Sequence, residues 1–422
     1  MIIALLTGLN FLNYLDRMLV AAVLLRIKEP VALGGLGLSN LEAGLLATVF
    51  LLGYFVTAPI FGAMADKGPR KKLIAFGVLT WSLATLASGL APTLGWMLLA
   101  RAVVGIGEAS YATLAPTIID DLTPPEKKGK MLAIFYAAMP IGAAAGFMLG
   151  GYIQARWGWR TAFFVGGFPG ILAALLCLAI VEPHRKLRAA GTRITDAVRA
   201  LIKIAQYRRA VLGYCAHTAM IGAFSHWGPT YLAGRYMLGP TQEKSLEIAS
   251  FWFGLVTVAA GFIGTVLGGW LGDRSSVRCP VLIDASHDDV TNRRAVNGLL
   301  KICAIGALVA TPLTAMALLS PNAAGFFILC FFAELGLFIG TSPINAALLR
   351  GVPPELRASS MAIAIFAIHL FGDLWSPSLL GLLADHLPML VAMMSLPVAV
   401  GLAAYVWWPR KREASTSSAQ AC

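Results

Sequence analysis

GAMADKGPRKK, residues 62–72, returns in weaker form as GGWLGDRSSVR, residues 268–278. A second pair repeats the relation, PPEKKGKMLA at 124–133 and PPELRASSMA at 353–362. The first pair is offset by 207 residues and the second by 229; the long polar loop from Ser275 to Val296 accounts for the 22 residues between them. Self-similarity over such distances decides an architecture before any local motif does. Each copy follows an apolar run, so the chain reads as two copies of one six-helix unit.

Composition sets the solvent of those helices. With 58% hydrophobic and only 13% charged residues over 422 positions, the chain lies far outside the range of soluble domains. A bilayer core asks for roughly 20 apolar residues per helix. Apolar runs between charged or Pro/Gly-rich breaks predict twelve spans, at 2–27, 41–65, 73–91, 95–119, 130–154, 161–181, 210–235, 247–271, 297–318, 323–349, 359–384 and 389–408. Several exceed the minimum, which predicts tilted or kinked helices. The runs lack the alternation of barrel strands, so a β-barrel is excluded. The expected organisation is an N-terminal bundle (1–181), a linker (182–209), a C-terminal bundle (210–408) and a disordered tail (409–422).

A formal charge of +12 raises the question of nucleic acid, and the placement of the cations answers against it. Of 33 Lys and Arg, 25 fall in the links after even-numbered spans and in the tail, and six fall on the opposite side. By the positive-inside rule the loops around Lys67–Lys72, Lys127–Lys130, Arg185–Arg209, Arg274–Lys301 and Arg350–Arg357 are cytoplasmic. An even span count puts both termini inside, in a plasma (inner) membrane protein. Within the linker, ITDAVRALIKIAQYRR predicts an amphipathic helix on the inner surface. Residues 1–28 lack the basic start of a signal peptide and carry Asp16-Arg17 mid-run. The abrupt apolar start suggests that a short cytoplasmic lead is missing or vestigial. Six cysteines show no paired spacing, which argues against both disulfides and zinc, and no cofactor or metal is expected. No GxSxG, HExxH or P-loop is present, which argues against an enzyme.

Several stretches carry a family resemblance. GAMADKGPRKK resembles the loop signature of the major facilitator superfamily, with its glycine one place early. RAVVGIGEA (101–109) resembles that superfamily's fourth-helix motif, and PIGAAAGFMLGG (140–151) its Gly/Pro-rich fifth helix. NYLDR (13–17), GEASYATLAPTIIDDL (107–122) and FAIHLFGDLWSPSLLG (366–381) are similar to the Spinster lipid transporters. Trp375 departs from that family, which more often has a small residue or Pro before Ser-Pro. The resemblance implies a twelve-helix fold working by alternating access on a lysophospholipid or a sphingosine-1-phosphate-like lipid, and a monomer is expected.

The candidate site residues follow from charge at membrane depth, which is costly and rarely idle. Asp16 and Arg17 are adjacent, about 100° apart on a helix, and cannot share a face. Arg101 and Glu108 are two turns apart, hence about 10 Å along one face. Spans one and four run in opposite directions, so the two pairs are expected to meet as two cations and two carboxylates. The forked guanidinium suits phosphate, which makes Arg17 and Arg101 candidate headgroup ligands. Low dielectric disfavours a charged carboxylate, which makes Asp16 and Glu108 candidate proton-coupling groups.

His369 and Asp373, at i,i+4 ahead of an expected kink at Pro377, join the binding candidates, with Glu108 and Tyr111. Lone groups at Glu334 and His226 are weaker candidates; Tyr111 and Tyr136 are candidates for the cavity lining, although an aromatic at helical spacing is more often packing. Asp66, Lys67, Arg70 and Lys71 are either a solvated turn or an inner gate; the resemblance implies that Asp66 contacts the loop cation and the start of span eleven. Gly142, Gly146 and Gly150 give small-xxx-small spacing for close helix packing. The rival reading on the same scaffold is a proton-coupled transporter of a small organic anion or drug. A receptor with a silent transporter fold ranks last, because it has no use for buried charge.

Overall fold

The computed structural model describes residues 2–67, 69–124, 127–180, 194–278 and 290–409. Among them every regular element is helical. In chain order these are α1 (Ile2–Lys28), α2 (Asn40–Lys67), α3 (Arg70–Gly89), α4 (Leu94–Leu122), α5 (Lys128–Trp157) and α6 (Trp159–Leu178). There follow α7 (Ile194–Lys203), α8 (Ala205–Tyr236), α9 (Gln242–Arg278), α10 (Val290–Leu319), α11 (Ala323–Ile339) and α12 (Thr341–Arg350). The chain ends with α13 (Arg357–Ile368), α14 (Ser376–His386), α15 (Met389–Met393) and α16 (Ser395–Trp407).

Eleven helical stretches among the described residues are long and apolar enough to cross a membrane. The twelfth expected span, 210–235, falls on α8, a continuous helix of 32 residues whose Arg, His and Tyr content dilutes its apolar character. Large apolar side chains such as Phe262, Val398 and Phe371 are left exposed on the helices. That exposure fits helices solvated by lipid, where the backbone must satisfy itself internally.

The chain divides into two compact units. The first comprises 1–188, 223–258 and 377–392, and the second 189–222, 259–376 and 393–422. Within the first, α1 packs on α5 and α6, while α4 packs on α2 and α3. Glycine makes these crossings close. A Cβ at Gly142 or Gly146 would lie 2.4 Å from the carbonyl oxygen of Phe11 or Leu15, so the small-residue series seats α5 directly on the backbone of α1. Within the second unit, α10 packs on α11, α12 and α16.

The linker segment ITDAVRALIK forms α7, which packs on α13 through a face that buries Ala197 and Leu201. Residues 181–193 and 410–422, and the side chains of Asp66 and Lys67, lie outside the described residues.

One local expectation changes. The irregularity in span eleven falls at His369–Asp373, a π-helical turn closed by Leu374 N–H donating to the His369 carbonyl at 3.1 Å. Pro377 is instead the second residue of α14. A proline in the first turn of a helix lacks an N–H that would be unpaired anyway, so it needs no kink.

Candidate functional site

The adjacent Asp16 and Arg17 part company as their angular separation requires. Asp16 Oδ2 accepts a hydrogen bond from the Thr85 hydroxyl on α3 at 2.7 Å. Arg17 Nη2 donates to Glu108 Oε2 on α4 at 2.8 Å. Arg101, two turns before Glu108, lies with its guanidinium 4.9 Å from the Phe50 ring. Arg17 reaches the same ring at 5.0 Å and also faces Tyr14 at 4.8 Å. Phe50 therefore contacts both cations, a favourable placement given the negative face of an aromatic ring.

Depth of burial separates this cluster from surface ion pairs. Glu108 is 0% exposed, Asp16 1% and Arg101 2%. Its pairing is incomplete: Arg101 Nε and Nη1, Asp16 Oδ1 and Glu108 Oε1 meet no hydrogen-bond partner among the described residues. Buried polar atoms are otherwise nearly always bonded, so such a group points to water or a ligand as the missing partner. Two glycines bring α4 in close enough to hold the cluster. A Cβ at Gly105 would fall 2.0 Å from the Phe50 carbonyl oxygen, and one at Gly107 would fall 2.5 Å from Trp81 N.

The other candidates are placed as follows. Tyr111 is buried against Trp81 and Phe135, and its hydroxyl donates to the Leu6 carbonyl, so it belongs to the core of the bundle. His369 Nδ1 meets Asp373 Oδ1 at 2.9 Å within the π turn of the second unit. His226 Nε2 lies 3.0 Å from the Ala43 carbonyl and Trp227 Nε1 donates to the Pro377 carbonyl at 2.9 Å, tying α8 to α2 and α14. Arg70 pairs with Asp121 at 2.7 Å, and Lys71 donates to the carbonyls of Leu178 and Ile180. The basic turn is thus held on α4 and the end of α6.

Thr85, Phe50, Tyr14 and Asn13, which is buried beside Glu108, escaped the sequence reading. Asn13 and Tyr14 stand inside NYLDR, next to the charges that drew attention. Thr85 and Phe50 sit in runs where nothing marks one residue above its neighbours.

A polytopic helical bundle with an incompletely paired charge cluster at membrane depth is the build of a secondary transporter. Comparisons with known proteins give the class directly: the family model of the Major Facilitator Superfamily matches residues 6–377. The chain is 34% identical to Protein spinster of Drosophila melanogaster over 385 residues, 89% of this chain and 60% of that protein. It is 33% identical to Protein spinster homolog 1 of Homo sapiens over 411 residues, covering 92% of this chain and 73% of the human protein. A solved bacterial homolog of the human lysosomal transporter Spinster, in an inward-facing and occupied conformation, matches with a TM-score of 0.81 at 21% identity, over 96% of this chain and 95% of that one. This likeness shows the fold. The chain is a transporter of the major facilitator superfamily, not an enzyme, and within that superfamily it belongs to the Spinster family.

Proposed function

We propose that the protein moves an amphipathic anionic or zwitterionic lipid, of the lysophospholipid or sphingosine-1-phosphate kind, by proton-coupled alternating access. The observation that carries this reading is Arg101, buried to 2% exposure with Nε and Nη1 unpartnered beside the unpartnered oxygens of Asp16 and Glu108. Truncating one partner of a satisfied buried pair only destabilises it, but an unsatisfied guanidinium has hydrogen bonds to offer. Arg101 and Arg17 would receive the headgroup. Asp16 and Glu108 would exchange protons as the site alternates, and Arg17 would bridge headgroup and proton site through its bond to Glu108.

His369 and Asp373 are proposed as substrate contacts from the second six-helix half, their π turn being the kind of local defect that recurs at functional sites. The halves 1–181 and 210–408 would rock about this site, with Asp66, Lys67, Arg70 and Lys71 forming the inner gate. We propose a monomer of the plasma membrane; the charge asymmetry supports cytoplasmic placement of both termini.

The test is flux in proteoliposomes of a labelled lysophospholipid against a labelled soluble organic anion, each with and without an imposed pH difference. Lipid flux that rises with the pH difference in the parent and loses that response in Glu108→Gln is expected. Flux of the soluble anion alone would replace the lipid by a small solute. Lipid flux indifferent to pH in the parent would leave facilitated diffusion.

A further inference from the structure

A cavity of about 430 Å³ lies within the first unit, where α1 and α8 finish and α2 and α15 begin. None of the four residues of the charge cluster lines it. Its polar wall comes from Lys28 at the end of α1, Asn40 at the start of α2, and Thr230 and Arg235 near the end of α8; Met389 and Leu390 of α15 supply an apolar floor. Two cations and no carboxylate line it among the described residues. Asp385 lies outside the lining: its carboxylate accepts the backbone N–H groups of Asn40 and Leu41 at 2.8 and 2.9 Å and also attracts the Lys28 ammonium from behind the wall. Lys28 is steadied by the Asn40 side chain and by the Trp227 ring at 5.3 Å.

Thr230 is the second, independent sign. A threonine inside a helix ordinarily bonds back to the carbonyl four residues earlier. Thr57, Thr311 and Thr314 all do so here. Thr230, 7% exposed and on the cavity wall, leaves its Oγ1 with no partner. The wall itself is fixed, because Ser245 accepts from Leu238 N–H and donates to the Ala233 carbonyl, both at 2.9 Å, where the chain leaves α8 through Met237 with φ 44°.

We propose that this cavity is an anion site for the charged end of an amphiphile, a phosphate monoester or carboxylate. Lys28 and Arg235 neutralise the charge, Thr230 Oγ1 donates to one oxygen, and the first carbons lie on Met389 and Leu390. On the charge-asymmetry topology this end faces outward, so the site would hold a solute at the outer mouth, apart from the buried cluster. The same chemistry could arrive as the headgroup of a bilayer lipid or as a free amphiphile.

The test is calorimetric titration of octyl phosphate into the full chain in nanodiscs of zwitterionic lipid, for the parent and for Arg101→Ala. The site is expected to persist in Arg101→Ala, to weaken about tenfold or more on adding Arg235→Gln or Lys28→Gln, and to weaken roughly threefold or more on adding Thr230→Val. Inorganic phosphate should compete, and octyl glucoside should not. Weakening by phosphatidic acid in the disc would assign the site to a lipid headgroup, whereas indifference to it would assign it to a free amphiphile. Unchanged affinity in all three cavity variants, or equal competition by octyl glucoside, would overturn the proposal. Binding lost in Arg101→Ala but kept in Arg235→Gln would place the ligand on the buried cluster and overturn it as well. Because octyl phosphate is followed in Arg101→Ala, these results stand whether or not a lipid is transported.

Discussion

The two repeats carry the same helix crossing with different chemistry beside it. At an offset of 229 residues, Gly77 and Gly107 of the first copy correspond to Gly306 and Gly336 of the second. Both pairs meet the same way: a Cβ at Gly107 would fall 2.6 Å from the Gly77 oxygen, and one at Gly336 would fall 2.8 Å from the Gly306 oxygen. The helix caps correspond as well. Thr93 caps α4 by accepting from Trp96 N–H, and Asn322 caps α11 by accepting from Gly325 N–H. Yet Arg101 corresponds to Cys330 and Glu108 to Leu337. Thr85, which bonds Asp16, corresponds to Thr314, which bonds back to the Ala310 carbonyl of its own helix. A single backbone solution therefore serves both copies, and the first alone adds buried charge to it at these positions. Close packing accounts for the glycines in both places; the charges in one are what the proposed function would explain.

The comparison breaks first at the glycines. Gly107→Val and Gly336→Val should each cost about 3 kcal/mol or more, since the new side chain meets backbone that cannot rotate away. Yield of monodisperse protein and its melting temperature would report this, and a well-folded variant in either copy would refute the shared crossing. Next come the charges. Arg101→Ala should lower lipid flux on the order of a hundredfold and Arg101→Lys about tenfold, because a point charge does not replace a fork. The corresponding Cys330→Ala should stay within roughly twofold of the parent. Equal losses at both positions would mean that Arg101 serves packing alone.

Thr85→Val leaves an Asp16 oxygen unpaired and should destabilise by about 2 kcal/mol, against a few tenths for Thr314→Val. Thermal unfolding of the two variants side by side reads the difference directly. The smallest effect belongs to the repeated loops. Asp66→Asn should shift the gate equilibrium by about 1 kcal/mol, typical of an acid near a helix end, and Asp273→Asn by less. Distances between paired spin labels across the loops measure it; equal, null shifts would reduce Asp66 to a solvated turn.

Legibility along the chain followed the range of the interaction concerned. Gly142 and Gly146 were readable because spacing on one helix suffices to mark a packing face, and both do sit on α1. The four charges at positions 16, 17, 101 and 108 were readable because any ion within an apolar run stands out. Their partners were not. That Arg17 would take Glu108, that Asp16 would take Thr85, and that Phe50 would lie against both guanidiniums depend on the rotation of α2 and α3 about their axes. The π turn at 369–373 was equally hidden, since one additional residue in a turn leaves the apolar pattern almost unchanged.

Composition and repeat spacing were enough by themselves to determine a twelve-span transporter of two copies, and the few intramembrane charges to single out the residues proposed as its site. These are properties of the chain in a bilayer, where each helix satisfies its own backbone. Only the tertiary structure decided which charge pairs with which, that Arg101 keeps donors unbonded, and that Lys28, Thr230 and Arg235 converge on one cavity. Those outcomes depend on ångström-scale approaches between helices, set by glycine contacts and side-chain reach across some 90 to 200 positions of sequence, and no local pattern encodes a distance of that kind.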